Sequence, residues 1–196
     1  YTYQWRLNGS NIPGATGNTY TPTITGTGTF NINCVVTDAC GTSSSTVSKT
    51  ITVIPDATAN ITGATSVCQN GSLTLTANTT GGTGTFTYDW QKSLDGGATW
   101  TSTGSTNSTF SVPSSVAGTF YYRVKVKVSG AACNDPISAP VTITVYPTPT
   151  VNAIANQIYC NNQTVPQTSL TGTVTGTTFT WTNSNTGIGL ASGGTG

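Results

Sequence analysis

The chain contains few side chains that could perform chemistry. Its five acidic residues are all Asp, and it has neither His nor Glu. The usual general bases, most zinc ligands and the base of a Ser-His or Cys-His pair are therefore missing. We expect no catalytic residue, no cofactor and no metal site, and hence a protein that is not an enzyme.

Carboxylates can also bind calcium, which takes carboxylate and carbonyl oxygens. The five are Asp38, Asp56, Asp89, Asp95 and Asp135. No two of them are closer than six positions along the chain. A calcium site would need the fold to bring distant carboxylates together, for example Asp38 and Asp56, so the signal for calcium is weak.

Residues 93–100 (SLDGGATW) fit the S-x-D-x-G-x-T-W pattern of the Asp-box of sialidases. This motif is a structural turn with its Trp packed over it. Asp-Gly-Gly between two extended segments favours a hairpin, because Gly tolerates positive φ and Asp bonds nearby backbone N–H groups. The Arg cluster and the Tyr/Glu pair of a sialidase are absent, so the segment predicts a turn and no sialidase site.

Half of the six basic residues lie on one predicted strand. Arg123, Lys125 and Lys127 alternate with apolar residues and share their side with Tyr121. Such a face could bind an acidic polysaccharide or a partner protein. Charges on the solvent-exposed face of a sandwich, and Lys that protects a strand edge from pairing, are also ordinary features of such domains. Both interpretations stay open, with Tyr121, Arg123, Lys125 and Lys127 as the possible ligand face.

The elements that position these residues are predicted to be strands. Four Trp, eight Tyr, five Phe and 44 Thr give a β-rich composition. Period-two alternation recurs, and no segment shows a capped helical period. The net charge of +1 favours neither nucleic acid nor an anionic membrane as partner. Apolar runs of only a few residues exclude a helical membrane span. The fold class is therefore all-β.

The sequence repeats itself at an interval close to ninety residues, which matches one β-sandwich of about a hundred residues. Residues 3–5 (YQW) recur at 88–90 (YDW) and 179–181 (FTW), and residues 50–55 (TITVIP) recur at 142–147 (TITVYP). We predict tandem immunoglobulin-like domains in an extended rod. The boundaries are 1–55 for the C-terminal part of one domain, 56–147 for a complete domain, and 148–196 for the N-terminal part of a third.

The repeat assigns roles to the aromatic residues. Trp5, Trp90 and Trp181 recur on the strand where immunoglobulin-like sandwiches bury a Trp, so we expect them in the core. Trp100, Tyr20 and Tyr146 are the better candidates for stacking on a sugar ring. Each of these three lies near a turn or a joint, which it could equally cover.

Five Cys in a low-charge β-rich chain indicate an oxidising compartment. Cys68 precedes an early strand of the complete domain and Cys133 follows a late one, so we predict a disulfide between them. In the repeat register Cys40 corresponds to Cys133, and Cys160 corresponds to Cys68. Their partners would then lie outside residues 1–196.

Cys34 is left over by this pairing. It aligns with Val124, an inward position of its strand. A small buried thiol, a bridge to a strand outside this segment, and a local bridge to Cys40 all remain open.

The segments YQWRLNG at 3–9, IPGAT at 12–16 and ACGT at 39–42 resemble the Ig-like repeats of very large surface proteins from Bacteroidota. PTV at 149–151, FTWTN at 179–183 and GIGLA at 187–191 resemble the PKD-like repeats of the same proteins. Such proteins are similar to gliding adhesins exported by the type IX secretion system. The resemblance implies an extracellular or cell-surface protein that acts in adhesion, gliding or structural extension.

The combined prediction is a stalk segment of a bacterial surface adhesin or filament. Short proline-marked joints at 54–56 and 146–149 would act as stiff spacers. The expected partners are other copies or repeats of the same long chain, surface polysaccharide, or the secretion and gliding machinery. The alternative function is a polysaccharide-binding module that uses an outward strand face.

Overall fold

The fold was obtained as a computed structural model, which describes residues 1–46, 48–130 and 134–196. These residues form fifteen strands and one short 3-10 turn, with no α-helix among them. The predicted all-β class is confirmed. No helix in the described part is long and apolar enough to span a lipid bilayer.

The first segment folds into a single sheet. Its strands are β1 (Thr2–Leu7), β2 (Ser10–Asn11), β3 (Gly28–Thr37), β4 (Ser43–Ser45) and β5 (Lys49–Val53). The order is β2-β1-β3-β4, and β5 also pairs with β3. Asn8 and Gly9 join β1 to β2 with φ of 49° and 84°. Two positive φ angles in a two-residue loop are those of a type I′ hairpin, which Asn-Gly favours.

The middle segment contains eight strands in two sheets. They are β6 (Thr58–Thr62), β7 (Ser66–Cys68), β8 (Thr74–Thr80), β9 (Phe86–Ser93), β10 (Thr101–Ser102), β11 (Thr109–Ser111), β12 (Gly118–Val128) and β13 (Val141–Tyr146). One sheet has the order β10-β9-β12-β13-β7 and the other β11-β8-β6. All pairs are antiparallel except β7 with β13. In immunoglobulin lettering β8 and β11 are strands B and E, and β9, β12 and β13 are strands C, F and G.

The core of this sandwich is centred on Trp90, which is fully buried. Its ring stacks on Phe110 of the facing sheet at 5.4 Å, and Phe110 contacts Tyr122 at 5.3 Å. The indole Nε1 donates to the carbonyl of Asn107 at 2.8 Å, so the only polar atom of the ring is satisfied. Burial raises the pKa of the Tyr122 phenol. Trp90 lies where the predicted core tryptophan was expected.

The last segment has the least regular structure. It contains β14 (Thr180–Thr182), a 3-10 turn at Thr186–Ile188 and β15 (Gly193–Thr195). Its Trp181 is only half-buried, as is Trp5 of the first segment. The repeat nevertheless persists in the backbone, because Asn70 and Asn162, 92 positions apart, have φ of 64° and 67°.

The cysteines of the described residues are free thiols. Cys34 is buried, and Cys40, Cys68 and Cys160 are exposed, so the local bridge from Cys34 to Cys40 is not formed. Cys133 lies outside the described residues. The bridge from Cys68 to Cys133 therefore stays a prediction.

Candidate functional site

The four residues predicted as a ligand face lie on β12, the central strand of the five-stranded sheet. Val124 and Val126 of this strand are fully buried, so the intervening positions face outward. Lys125 and Lys127 are exposed, whereas Tyr121 and Arg123 are half-buried. We call this surface the outer face. It is formed by Asp89, Gln91, Trp100, Ser102, Tyr121, Arg123, Lys125 and Lys127.

Arg123 is held in place by two neighbours. Its guanidinium carbon lies 4.3 Å from the centroid of the Trp100 ring, and its Nε donates to Oε1 of Gln91 at 2.8 Å. A cation over an indole ring is attracted by the ring quadrupole. The terminal N–H groups of Arg123 have no hydrogen-bond partner among the described residues.

The support for Arg123 extends across three strands. Gln91 Nε2 donates to Oδ2 of Asp89 at 2.7 Å, and Ser102 Oγ donates to Oδ1 of the same carboxylate at 2.5 Å. The chain of hydrogen bonds thus runs from β12 through β9 to β10. Because Asp89 fixes the amide of Gln91, the carbonyl oxygen of Gln91 is directed at Arg123.

The Asp-box residues form a closed turn that positions Trp100. Asp95 Oδ1 accepts from Ser93 Oγ at 2.6 Å and from the backbone N–H of Thr99 at 2.9 Å, and Asp95 Oδ2 accepts from the Thr99 hydroxyl. Ser93 Oγ accepts from the Gly97 N–H, and Trp100 Nε1 donates to the Gly97 carbonyl. These bonds, those from Ser93 first and then Thr99, hold the pKa of the Asp95 carboxyl well below its usual range. Asp95 therefore stabilises this turn.

Lys125 and Lys127 border a shallow hollow of about 360 Å³, whose other lining residues are Thr87, Tyr88, Asp89 and Asp135. Asp135 Oδ1 accepts from the Val128 N–H at 3.2 Å. Neither lysine forms an ion pair among the described residues. Both ammonium groups are therefore free to meet an external anion.

A larger hollow of about 940 Å³ lies in residues 165–196 and is lined by Trp181, Phe179 and Leu190 among others, with no charged residue. Trp181 is the repeat equivalent of the buried Trp90. We interpret this hollow as core surface that the two strands of this segment leave uncovered.

The other candidates from the sequence are distributed differently. Tyr20 contacts Trp5 at 6.0 Å, while Tyr146 is half-exposed at the end of β13. Trp100 covers Arg123 instead of standing free in solvent. Asp38 accepts from the backbone N–H groups of Cys40 and Thr42, as in an Asx turn. The described residues contain no cluster of His, Cys, Asp or Glu that could hold a metal ion.

Sequence reasoning missed Asp89, Gln91 and Ser102. A signal was present, because Asp89 and Gln91 lie at outward positions of the strand that contains Trp90. Their contact with Arg123 depends on the register of β9 against β12, in which Gln91 faces Arg123 and Trp90 faces Val124. That register is set by pairing between distant segments and cannot be read from either strand alone.

Comparison with known proteins gives one family model and several similar proteins. Residues 57–147 match a family described as a domain of unknown function (DUF8696). The chain is 33% identical over 163 residues to the highly immunogenic outer capsid protein of Enterobacteria phage T4, a match that covers 78% of this chain and 40% of that protein. The chain thus spans two fifths of the length of this relative.

Two solved structures are similar at low sequence identity. The fibronectin(III)-like modules of Clostridium thermocellum CbhA are 18% identical with a TM-score of 0.35, covering 74% of this chain and 78% of that one. The amphioxus IgVJ-C2 molecule is 12% identical with a TM-score of 0.34, covering 74% and 88%. The chain is therefore similar to an outer capsid protein, and its middle segment matches a domain family without assigned function.

Proposed function

We propose that this chain is a stalk segment of a large bacterial surface adhesin or filament. Consecutive β-sandwich domains would form an extended, non-catalytic rod that gives reach and mechanical stability for adhesion or gliding at the cell surface. The observation that carries the proposal is the two-sheet sandwich of the middle segment, together with sequence landmarks of that segment that recur before and after it. The similarity to an outer capsid protein supports an exposed structural role.

The contacts of the joint before the middle domain support the proposal that the rod is stiff at this point. The carbonyl of Pro55 accepts from the N–H of Gly82 at 2.9 Å, which ties the joint to a loop of the domain itself. Gly81 has φ of 71°, and a Cβ there would collide with the carbonyl of Asp56. Only glycine permits this close approach, so the joint is packed against the domain at its entrance.

A parallel pair formed by the second strand and the last strand of the middle domain supports resistance to force. β7 lies near the start of the domain, β13 ends it, and the two are parallel, with Val67 opposite Val145. Tension applied at the two ends pulls parallel strands in opposite directions along their length. The hydrogen bonds between them then share the load in shear and do not open one by one.

Small-angle X-ray scattering of the whole chain tests the rod. One complete domain contributes roughly 40 Å, from strands of about eight residues and their end loops. About two such lengths give a radius of gyration of roughly 25 Å, whereas a compact fold of this size would have about 16 Å. A value near that of the compact fold would contradict the rod.

A second candidate function, polysaccharide binding by the outer face, is favoured by the arrangement around Arg123. Resemblance to gliding-adhesin repeats supports the export route through the type IX system and an extracellular location. Fractionation of cells that express the full-length protein tests this export route and this location.

A further inference from the structure

We infer that the outer face of residues 56–147 binds an acidic linear polysaccharide. Arg123 would receive a carboxylate of the sugar chain, and Lys125 and Lys127 would meet the acidic groups that follow. This inference is independent of the stalk role. It rests on the second candidate function proposed above and names the chemical class of its ligand.

The first argument is that Arg123 is preorganised. A surface arginine normally loses rotamer freedom when it binds a ligand, and this loss lowers affinity. Here Trp100 already covers one face of the guanidinium, and Gln91 already fixes Nε. Folding has therefore restricted this side chain before any ligand arrives.

The second argument is that the binding atoms of Arg123 are unused. A guanidinium has five N–H donors, and the described contacts occupy only the one on Nε. The four donors on the terminal nitrogens form the planar fork that matches a carboxylate in a bidentate pair. A half-buried arginine with a free fork is arranged to receive such an anion.

The third argument is the linear arrangement of charge. Alternate residues of a strand lie about 6.6–6.8 Å apart, so Arg123, Lys125 and Lys127 form a row along β12. Two carboxylates face the same region. Asp89 is engaged by Gln91 and Ser102, and Asp135 accepts from the Val128 N–H. Three cations against two anions leave an excess of one positive charge, which favours an anionic ligand. The regular spacing of the row favours a polymer whose negative groups are also regularly spaced.

The surroundings favour a polysaccharide over an acidic peptide. Two common ways in which peptides dock are the addition of a strand to a free sheet edge and the insertion of apolar anchors into pockets. β12 is central in its sheet, between β9 and β13, so it offers no free edge. The hollow beside Lys125 and Lys127 is lined mainly by polar and charged side chains. Hydroxyl, amide and guanidinium groups flanked by Trp100 and Tyr121 suit a sugar ring, which presents both hydroxyls and C–H groups.

The test uses isothermal titration calorimetry on the whole 196-residue chain with oligogalacturonate, a linear uronic acid polymer. Fully methyl-esterified oligogalacturonate is the neutral counterpart, and poly-glutamate of matched charge represents an acidic peptide. We expect saturable binding of the uronate, at least tenfold weaker binding of the ester, and affinity that falls with rising salt.

The chain offers a matched control, because it contains six basic residues in all. The test variant replaces Arg123, Lys125 and Lys127 with Gln. The control variant replaces the other three, Arg6, Lys49 and Lys92, with Gln and has the same net charge. We expect the test variant to lose binding at least tenfold and the control to stay within about threefold of the parent. Circular dichroism checks that both variants are folded.

Two further variants retain the net charge of the chain. They distinguish a fitted site for a carboxylate from general electrostatic attraction. Arg123→Lys retains the cation but lacks the fork, and Gln91→Met removes the acceptor that orients it. We expect roughly fivefold to tenfold weaker binding for the first and a smaller loss for the second.

Three results would overturn the inference. They are no binding of oligogalacturonate at low salt, equal losses in the two triple variants, and poly-glutamate binding as tight as that of the uronate. The last result would assign the face to an acidic protein instead.

Discussion

Trp90 and Trp181 occupy the same position of the sequence repeat, yet their environments differ. Trp90 of β9 is fully buried between its own sheet and the facing sheet, where it stacks on Phe110. Trp181 lies on a two-stranded sheet and lines an open apolar hollow. The local pattern places a tryptophan on a strand in both segments, but the burial of Trp90 depends on other strands, which lie before and after it in the chain. Local sequence thus sets the strand, and distant strands complete the core.

Replacement of the two tryptophans gives the sharpest test of this difference. Trp90→Ala leaves a large cavity in a closed core and should lower the free energy of unfolding of the middle domain by about 3–5 kcal/mol. Trp181→Ala removes a half-solvated ring and should lower the free energy of unfolding of the last segment by about 1 kcal/mol or less. Urea denaturation is followed by hydrogen exchange of the β12 amides for Trp90→Ala and of the β14 amides for Trp181→Ala. Equal losses would show that Trp181 is part of a core as complete as that of Trp90.

The cysteines provide a second comparison between the same segments. Cys68 and Cys160 are equivalent in the repeat, and both are exposed free thiols in the structure. If Cys68 pairs with Cys133 as the sequence predicts, Cys68→Ala should lower stability under oxidising conditions by about 2–4 kcal/mol. Cys160→Ala should have little effect on residues 1–196, because the repeat register predicts no partner for Cys160 among them.

A non-reducing peptide map checks the pairing directly. A peptide that joins residue 68 to residue 133 would establish the bridge. Coincident melting curves for the parent and Cys68→Ala, with no such peptide, would show that Cys68 is a free thiol as the structure records it.

Several features of the middle domain could be predicted because they depend on neighbours in sequence. The alternation of Tyr122, Val124 and Val126 predicts an inward face, and the Asp-box predicts a closed turn. The contact between Arg123 and Trp100 depends on two strand pairings at once. A shift of two residues in either register would place Trp100 beside a different outward residue. The outer face was therefore predictable as a row of charges. The contacts of Arg123 with Trp100 and Gln91 were not predictable.

The turns that follow β9 and β14, the strands of Trp90 and Trp181, differ in charge. The smallest expected effect is the difference in pH dependence that results. In the middle domain the Thr99 N–H donates to the Asp95 carboxylate, whereas in the last segment the Gly187 N–H donates to the neutral side chain of Asn185 at 3.1 Å. The lowered pKa of Asp95 means that the folded state favours the ionised carboxylate. Its contribution to stability is then fully present above about pH 4, the unfolded value, and is lost as the pH falls toward the lower folded value.

Amide NMR shifts followed from pH 7 to pH 2 test this contrast. The Thr99 amide should stay unchanged through pH 4, where an ordinary Asp titrates, and should move only in more acidic solution. The Gly187 amide should not follow a carboxylate titration at all, and Asp95→Asn should remove any shift of the Thr99 amide at the acidic end of this range. A Thr99 midpoint near pH 4 would mean that the hydrogen bonds from Ser93 and Thr99 do not hold the carboxylate in solution. The turn would then lack the rigidity that fixes Trp100 over Arg123.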